Sequence, residues 1–183
     1  RCELGLGGYQ SKVIRNRVSE LDPRAKSDIS SGGMTGGDRM IHHNYAALYA
    51  KYLEKFVQGK SPRAIVECGI LRGTGLGVWS KLFPEAKLIG LDIDLSHTKN
   101  NLKELKGRGA FQLLDPILLA FDQFKPATDE IAQALGEGDL SIVIDDGYHS
   151  DETILNTFSA LRPFLSRDFV YFAEDNSTVA PKL

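Results

Sequence analysis

The stretch from Arg63 to Phe83, RAIVECGILRGTGLGVWSKLF, joins a short apolar run to a glycine-rich turn and then to a helix-forming segment. The run AIVEC is short and contains β-branched residues, which predicts a buried strand. Gly69 and Gly73 follow it, and glycine allows a backbone to turn sharply and to approach a ligand closely. A strand that leads through such a turn into a helix starts a βαβ unit, and ligands of open α/β sheets bind at these turns.

Strands and helices alternate along most of the chain. A first helix is predicted from its apolar spacing, with Asn44 as its cap and Gly59 at its end. Apolar strands in this rhythm predict an α/β fold, a Rossmann-like, doubly wound and mostly parallel sheet of order 3-2-1-4-5 with helices on both faces. Strands are predicted at 63–69, 86–94, 116–124, 140–147 and 168–176, and further helices at 74–83, 96–107, 126–135 and 151–165.

Composition narrows the classes of protein to consider. The chain has 183 residues, 42% of them hydrophobic, which indicates one substantial core. We expect a flexible N-terminal segment at 1–40, which contains SSGGMTGGDRM, and one domain at 41–183. A net charge of -2 without a basic run argues against nucleic acid, and no apolar stretch suits a membrane helix. Two cysteines without metal-site spacing predict a reduced, cytoplasmic protein, and a homo-oligomer is compatible with this composition.

Carboxylates around the glycine turn indicate the kind of ligand that binds there. Glu67 precedes Gly69 in an ExGxxxGxG pattern, whereas the dinucleotide motif is GxGxxG with a pyrophosphate at the helix start. A carboxylate at this strand end would repel a pyrophosphate, and it suits a cationic or hydroxyl-bearing ligand. Asp92 ends the second strand, where an acid can accept hydrogen bonds from both ribose hydroxyls of a nucleoside.

With this motif, residues 40–175 resemble the class I S-adenosylmethionine-dependent methyltransferases. The resemblance implies S-adenosylmethionine as the cofactor, Asp92 on its ribose and Asp122 on its adenine amino group. Asp115 is the competing candidate for the adenine, but Pro116 should start the third strand rather than follow it. The chain stops soon after its fifth strand, so we expect the last strands of that fold to be missing, either from this chain or from a shortened fold. We assign cofactor binding to Glu67, Gly69, Gly73, Asp92, Asp122 and Asp145.

A second group of acids follows the fourth and fifth strands. The fourth strand, in SIVIDDGYHS, ends at Asp145 and Asp146, and the fifth ends at Glu174 and Asp175. The carboxyl ends of neighbouring parallel strands meet at one edge, so these acids should converge there. Unpaired carboxylates so close together would repel each other, and a divalent cation such as Mg²⁺ would relieve the repulsion.

The motifs IDDGYH and AEDN together resemble the metal-dependent sugar O-methyltransferases of macrolide biosynthesis, of the macrocin and mycinamicin type. The resemblance implies Asp146, Glu174 and Asp175 as Mg²⁺ ligands and His149 as the general base. A bound cation would acidify an acceptor hydroxyl and fix its oxygen, and histidine can take up the proton near neutral pH. The expected acceptor is a hydroxylated or sugar-bearing small molecule. The family has Gly-Asp-Gln where this chain has Phe121-Asp122-Gln123, and the segments that would shape an acceptor pocket beyond the fifth strand are expected to be absent.

The same residues are compatible with two other functions. The chain is either a ligand-binding protein of the methyltransferase fold without catalysis, or an NAD-type oxidoreductase, which the glycine spacing disfavours. In those cases His149 is an ordinary residue before a helix, and Glu174 and Asp175 are a solvated strand end. Asp145 has an alternative role as an acceptor of backbone hydrogen bonds.

Overall fold

Five parallel strands form the sheet in the computed structural model, which describes residues 45–125 and 129–183. The strands are β1 (Ala64–Cys68), β2 (Lys87–Asp92), β3 (Ile117–Ala120), β4 (Leu140–Asp145) and β5 (Leu165–Ala173). Their order across the sheet is β3-β2-β1-β4-β5, which confirms the predicted doubly wound arrangement. All five strands are parallel, so their carboxyl ends open at one edge.

Helices cover both faces of the sheet, as predicted. Ile65 of β1 faces a cluster that includes Trp79, while its neighbour Val66 faces a second cluster that includes Ile131. This alternation follows from the two-residue period of a strand. None of the helices in the described ranges is long and apolar enough to span a bilayer. The helices are α1 (Ala46–Gln58), α2 (Thr74–Leu82), α3 (Ser96–Gly107), α4 (Asp129–Ala134) and α5 (Asp151–Leu161).

The last helix, α5, is shorter than the predicted range of 151–165. It ends at Leu161, and a 3₁₀ turn at Arg162–Phe164 leads into β5. Pro163 has no amide hydrogen and its ring clashes with the preceding turn, so the α-helix stops there. Leu165, predicted as the last residue of that helix, is therefore the first residue of β5.

The first helix buries a narrower face than its apolar spacing suggested. Tyr49, Leu53 and Phe56 are buried, whereas Leu48 and Tyr52 are about half exposed. The helix ends where predicted, with the amide of Gly59 donating to the carbonyl of Lys55. The predicted cap Asn44, the start of the predicted helix at 126–135 with Pro126, and the segment 1–40 lie outside the described residues.

The turn after β1 lies directly against the end of β4. The amide of Asp146 donates to the carbonyl of Cys68 at 2.9 Å, and the amide of Gly69 donates to Leu91 at 2.8 Å. Gly69 has a φ of +80°, and a Cβ atom there would lie 2.0 Å from the carbonyl oxygen of Asp146. Only glycine allows the two chain segments to lie this close.

Replacing Gly69 with alanine should therefore destabilise the domain strongly. The positive φ and the backbone clash together predict a fall of about 2–4 kcal/mol in the free energy of unfolding. Urea unfolding of the variant measures this loss. The control is Gly107→Ala, where an added Cβ meets nothing within 4 Å and the expected change is within about 1 kcal/mol. Equal stability of the two variants would contradict the tight β1–β4 junction.

Candidate cofactor and metal site

The glycine turn and the end of β2 are joined by hydrogen bonds. The carboxylate of Asp92 accepts a bond from the amide of Leu71 at 2.9 Å and another from Asp94 at 3.0 Å. Gly73, with a φ of +74°, starts α2, so the turn that contains Leu71 lies between Gly69 and this helix. The turn between the two predicted glycines, Gly69 and Gly73, is therefore bonded to Asp92 through Leu71.

Asp92 is largely buried, and burial raises the pKa of its carboxyl group above the usual range. Its backbone hydrogen bonds act in the opposite direction and favour the charged form. The amides of Leu71 and Asp94 donate to different oxygens of the carboxylate, and the amide of Ile70 also favours the charged form. A carboxylate has about four lone-pair sites, so acceptor capacity remains for a ligand hydroxyl.

Glu67 points into the interior. Its side chain is 2% exposed, and one carboxylate oxygen accepts a bond from the indole nitrogen of Trp79 at 2.9 Å. Trp79 belongs to α2, so Glu67 ties the strand to the helix that follows the glycine turn. Its predicted contact with a cofactor stays a prediction, and the geometry supports at least a role in holding the turn.

The two candidates for the adenine contact lie at opposite ends of β3. Asp122 follows the carboxyl end of the strand and forms an ion pair with Lys125 at 2.9 Å, which lowers the pKa of Asp122. Asp115 precedes the strand and pairs with Lys106 at 2.7 Å. Pro116, expected to start the third strand, lies directly before its first residue Ile117, and Asp122 lies at the carboxyl edge of the sheet. Its contact with adenine stays a prediction.

Acids from β4 and β5 meet at the same edge, together with a histidine. Asp146, His149 and Asp175 each offer one potential ligand atom, and these atoms lie within 4.8 Å of one another. Ligands on opposite sides of Mg²⁺ lie roughly 4 Å apart, so a small contraction would bring this group to coordination distance. The group fits a divalent cation in donor type, because carboxylate oxygens suit Mg²⁺ and imidazole suits transition metals.

His149 is held in an unusual backbone conformation. Its φ is +67°, and Asp175 opposite has a φ of +53°, a region that residues other than glycine seldom occupy. The Nδ1 atom of His149 lies 3.3 Å from the carbonyl oxygen of Glu174 and can donate to it. In that tautomer Nε2, which lies 3.9 Å from a carboxylate oxygen of Asp146, carries the lone pair.

Glu174 is turned away from this group. It is 6% exposed and accepts a hydrogen bond from the hydroxyl of Tyr49, while the hydroxyl of Tyr45 donates to Asp175. Burial and the bond to Asp175 raise the pKa of Tyr45. The predicted ligand set is thus brought together only in part, and the role of Glu174 as a ligand stays a prediction.

Asp145 is enclosed by protein groups. It is 1% exposed, with one oxygen 2.9 Å from Nε2 of Gln123 and the other 2.6 Å from the hydroxyl of Tyr171. Burial raises the pKa of Asp145, and the two hydrogen bonds partly oppose that shift. Both oxygens of Asp145 already have protein partners. Its predicted contact with a cofactor stays a prediction.

The segment after β5 is tied to the start of α5. Asn176 donates to the carbonyl of His149 and to the carboxylate of Asp151, both at 2.9 Å. Lys182 and Thr178 also donate to Asp151, and these bonds lower the pKa of Asp151 to about 2. The tie keeps the chain around Asp175 next to His149.

A groove of about 360 Å³ lies beside Asp175, between α1 and the segment after β5. Tyr45, Tyr49 and Phe172 supply aromatic walls, and Asn176 supplies a polar edge. A small molecule in this groove would therefore lie next to the group formed by Asp146, His149 and Asp175.

The chain is similar in sequence to one curated protein, the 8-demethyl-8-alpha-L-rhamnosyl tetracenomycin-C 2'-O-methyltransferase of Streptomyces olivaceus. The two are 29% identical over 153 residues. The fold of the chain is Rossmann-like, with a five-stranded, doubly wound parallel sheet. The match covers 78% of this chain and 36% of the relative, so the chain spans about a third of the relative's length. No protein-family model matches the chain.

Two of the solved structures that are similar to this chain are methyltransferases. Geranyl diphosphate methyltransferase in complex with SAM is 12% identical, with a TM-score of 0.49 over 82% of this chain and 54% of that one. An O-methyltransferase of Streptomyces achromogenes involved in tomaymycin synthesis, also in complex with SAM, is 18% identical. Its TM-score is 0.43 over 63% of this chain and 48% of that chain.

Several residues that hold the acids at this edge of the sheet could not be predicted from the sequence. Gln123 and Tyr171 hold Asp145, and Tyr45 and Tyr49 hold the two acids after β5. The two tyrosines share a helix face at a spacing of four, which predicts burial but not a polar partner from a distant strand. Only the fold brings these groups together.

Proposed function

We propose that this domain is an S-adenosylmethionine-dependent O-methyltransferase that uses a divalent cation to activate a hydroxyl of a small molecule or glycoside. The observation that carries the proposal is the group of Asp146, His149 and Asp175, whose ligand atoms lie within 4.8 Å of one another. This group follows β4 and β5, on the edge that also carries the glycine turn and Asp92.

When bound, S-adenosylmethionine supplies a methyl group on a positively charged sulfur, which an acceptor oxygen displaces in line. Asp92 would accept a hydrogen bond from its ribose, because the carboxylate keeps acceptor capacity beyond its backbone bonds. Gly69 and Gly73 would let the backbone approach the cofactor, and Asp122 would accept from the adenine amino group. Glu67 would hold the glycine turn in place through the hydrogen bond that it accepts from Trp79.

Asp146 and Asp175 would hold the cation, which when bound lowers the pKa of an acceptor hydroxyl and fixes its oxygen. Two carboxylates, with waters and substrate oxygens, form an ordinary Mg²⁺ site. Glu174 would join them only by exchanging its hydrogen bond from Tyr49.

His149 would remove the proton from the acceptor hydroxyl. Donation from Nδ1 to the carbonyl of Glu174 leaves Nε2 as the accepting atom, directed toward Asp146. The same carbonyl bond fixes the plane of the ring, so the base would not need to reorient for the reaction.

Two observations support a sugar or another polyhydroxylated acceptor. The name of the similar Streptomyces olivaceus protein describes methylation of a 2'-oxygen on a rhamnosyl compound. The groove beside Asp175 combines aromatic walls with polar groups, and at about 360 Å³ it has the size of an ordinary small-molecule site.

Calorimetry with S-adenosylhomocysteine tests the cofactor assignment. We expect the wild-type domain to bind it at micromolar levels, and Asp92→Asn to weaken binding about 10- to 100-fold because a charged acceptor is lost. Micromolar binding of NADH without binding of S-adenosylhomocysteine would contradict the proposal. Asp115→Asn, an exposed acid at the other end of β3, is the matched control and should bind normally.

The same titration has an expected pH dependence. Ribose hydroxyls donate to the charged form of Asp92, so protonation of Asp92 competes with binding. Its pKa is raised by burial, so affinity should fall with decreasing pH before an ordinary aspartate would titrate. Asp92→Asn should bind weakly with no such dependence, and an unchanged slope in that variant would exclude Asp92 as the titrating group.

A further inference from the structure

Gln123 is a buried amide at the centre of the polar network behind the candidate metal site. Its side chain follows β3, and the residue is 7% exposed. Nε2 donates to Asp145 at 2.9 Å and to the hydroxyl of Thr157 at 2.7 Å. Oε1 accepts from the backbone amide of Tyr148 at 2.8 Å. The residue therefore connects β4, α5 and the turn between them.

The count of donors and acceptors determines how this amide is oriented. The hydroxyl of Thr157 donates to the carbonyl of Thr153, so it accepts from Gln123. Asp145 also accepts the hydroxyl proton of Tyr171, so it too can only accept from Gln123. Both amide hydrogens are thereby used, and Oε1 must face the turn.

The turn that receives Oε1 is the one that carries Asp146 and His149. Gly147 lies so close that an added Cβ would be 2.1 Å from Oε1 of Gln123. The backbone carbonyl of Gln123 also accepts from Asn156 of α5 at 2.9 Å, which anchors the residue on the far side. The amide of Tyr148, which lies between Gly147 and His149 in this turn, is therefore held by Oε1 of Gln123.

We propose that Gln123 is a positioning residue that holds the 146–149 turn so that Asp146 and His149 face Asp175. The inference rests on the proposed function for its chemical meaning. Gln123 acts through the amide of Tyr148, because its amide nitrogen and oxygen both bond to protein groups. Partners of this kind behind a metal site commonly change metal affinity by about 10- to 100-fold when they are lost.

The test compares Gln123→Met with Gln123→Glu. Methionine has a similar length and removes every side-chain hydrogen bond, so we expect the amide of Tyr148 to exchange with solvent at least about tenfold faster. Mg²⁺ affinity, titrated in the presence of S-adenosylhomocysteine, should fall about 10- to 100-fold. Gln112→Met, the same change at an exposed glutamine before β3, should alter neither readout.

Gln123→Glu distinguishes a role in positioning the 146–149 turn from a general contribution to the stability of the domain. Glutamate keeps an acceptor for the amide of Tyr148 but loses both donors and puts a second carboxylate beside Asp145, so it should melt at a lower temperature than Gln123→Met. Positioning predicts that glutamate nevertheless keeps slower exchange at Tyr148 and tighter Mg²⁺ binding than methionine.

Three results would overturn the proposal. They are unchanged exchange at Tyr148 in Gln123→Met, faster exchange with unchanged Mg²⁺ affinity, and Mg²⁺ affinities that follow thermal stability in the two variants. Absence of Mg²⁺ binding by the wild-type domain would instead contradict the proposed function, and the exchange comparison would still decide whether Gln123 holds the turn.

Discussion

Asp146→Ala should abolish metal-dependent methyl transfer while it leaves cofactor binding nearly intact. The side chain is only partly buried and offers one of the three potential ligand atoms, and the contact between β4 and β1 uses the backbone amide of Asp146 instead. Loss of a group that stabilises the reacting oxygen lowers turnover on the order of 10²- to 10³-fold. Steady-state rates at varied Mg²⁺, together with calorimetry for S-adenosylhomocysteine, measure the two effects separately.

The control for this experiment is Asp115→Ala, which removes an exposed carboxylate at the amino end of β3. It should keep both turnover and metal dependence. Parallel loss of turnover and of S-adenosylhomocysteine affinity in Asp146→Ala would mean that Asp146 supports the fold rather than a cation. Full turnover that no longer responds to chelators would remove the cation from the mechanism.

His149→Asn should slow the reaction about 10²- to 10⁴-fold, the range expected when a general base is removed. Asparagine is the suitable substitution because it tolerates the positive φ at this position better than alanine. The variant should therefore fold normally and bind Mg²⁺ and S-adenosylhomocysteine like the wild type.

Metal affinity decides between two roles of His149. If the affinity for Mg²⁺ or Mn²⁺ falls together with turnover, His149 is a ligand in the group with Asp146 and Asp175 rather than the base. Turnover equal to that of the wild type at every pH would remove it from the reaction altogether. His97→Asn, in α3, is the matched control and should have no effect on either quantity.

The strands and their order could be predicted because each carries a local signal. The run at β1 is apolar and is followed by Gly69, and four further strands repeat the pattern of a short apolar run that ends in acids or a turn. Parallel strands joined by helices allow few arrangements, so the order followed from the alternation. The end of α5 was misjudged because apolar residues at 161 and 165 fit a helix, and Pro163 overrode that spacing.

Residue types at the edge of the sheet could also be predicted, but side-chain directions could not. Asp146 and Asp175 come together because they follow adjacent strands. Glu174 precedes Asp175 directly, and consecutive residues near a strand end point to opposite sides, so only one of the two can face the group easily. Asp175 faces it, while Glu174 is directed to Tyr49.

The amino-acid sequence by itself determined the parallel sheet, the glycine turn and the convergence of acids at one edge, because periodicity, glycine spacing and strand endings are properties of short segments. Only the tertiary structure decided which acids are enclosed by protein partners and which face outward. Asp145 bonds to Tyr171 and Gln123, and Glu174 bonds to Tyr49, across separations that no local pattern records. The physical reason is that a hydrogen-bond partner is selected by distance in space, which depends on how every element packs.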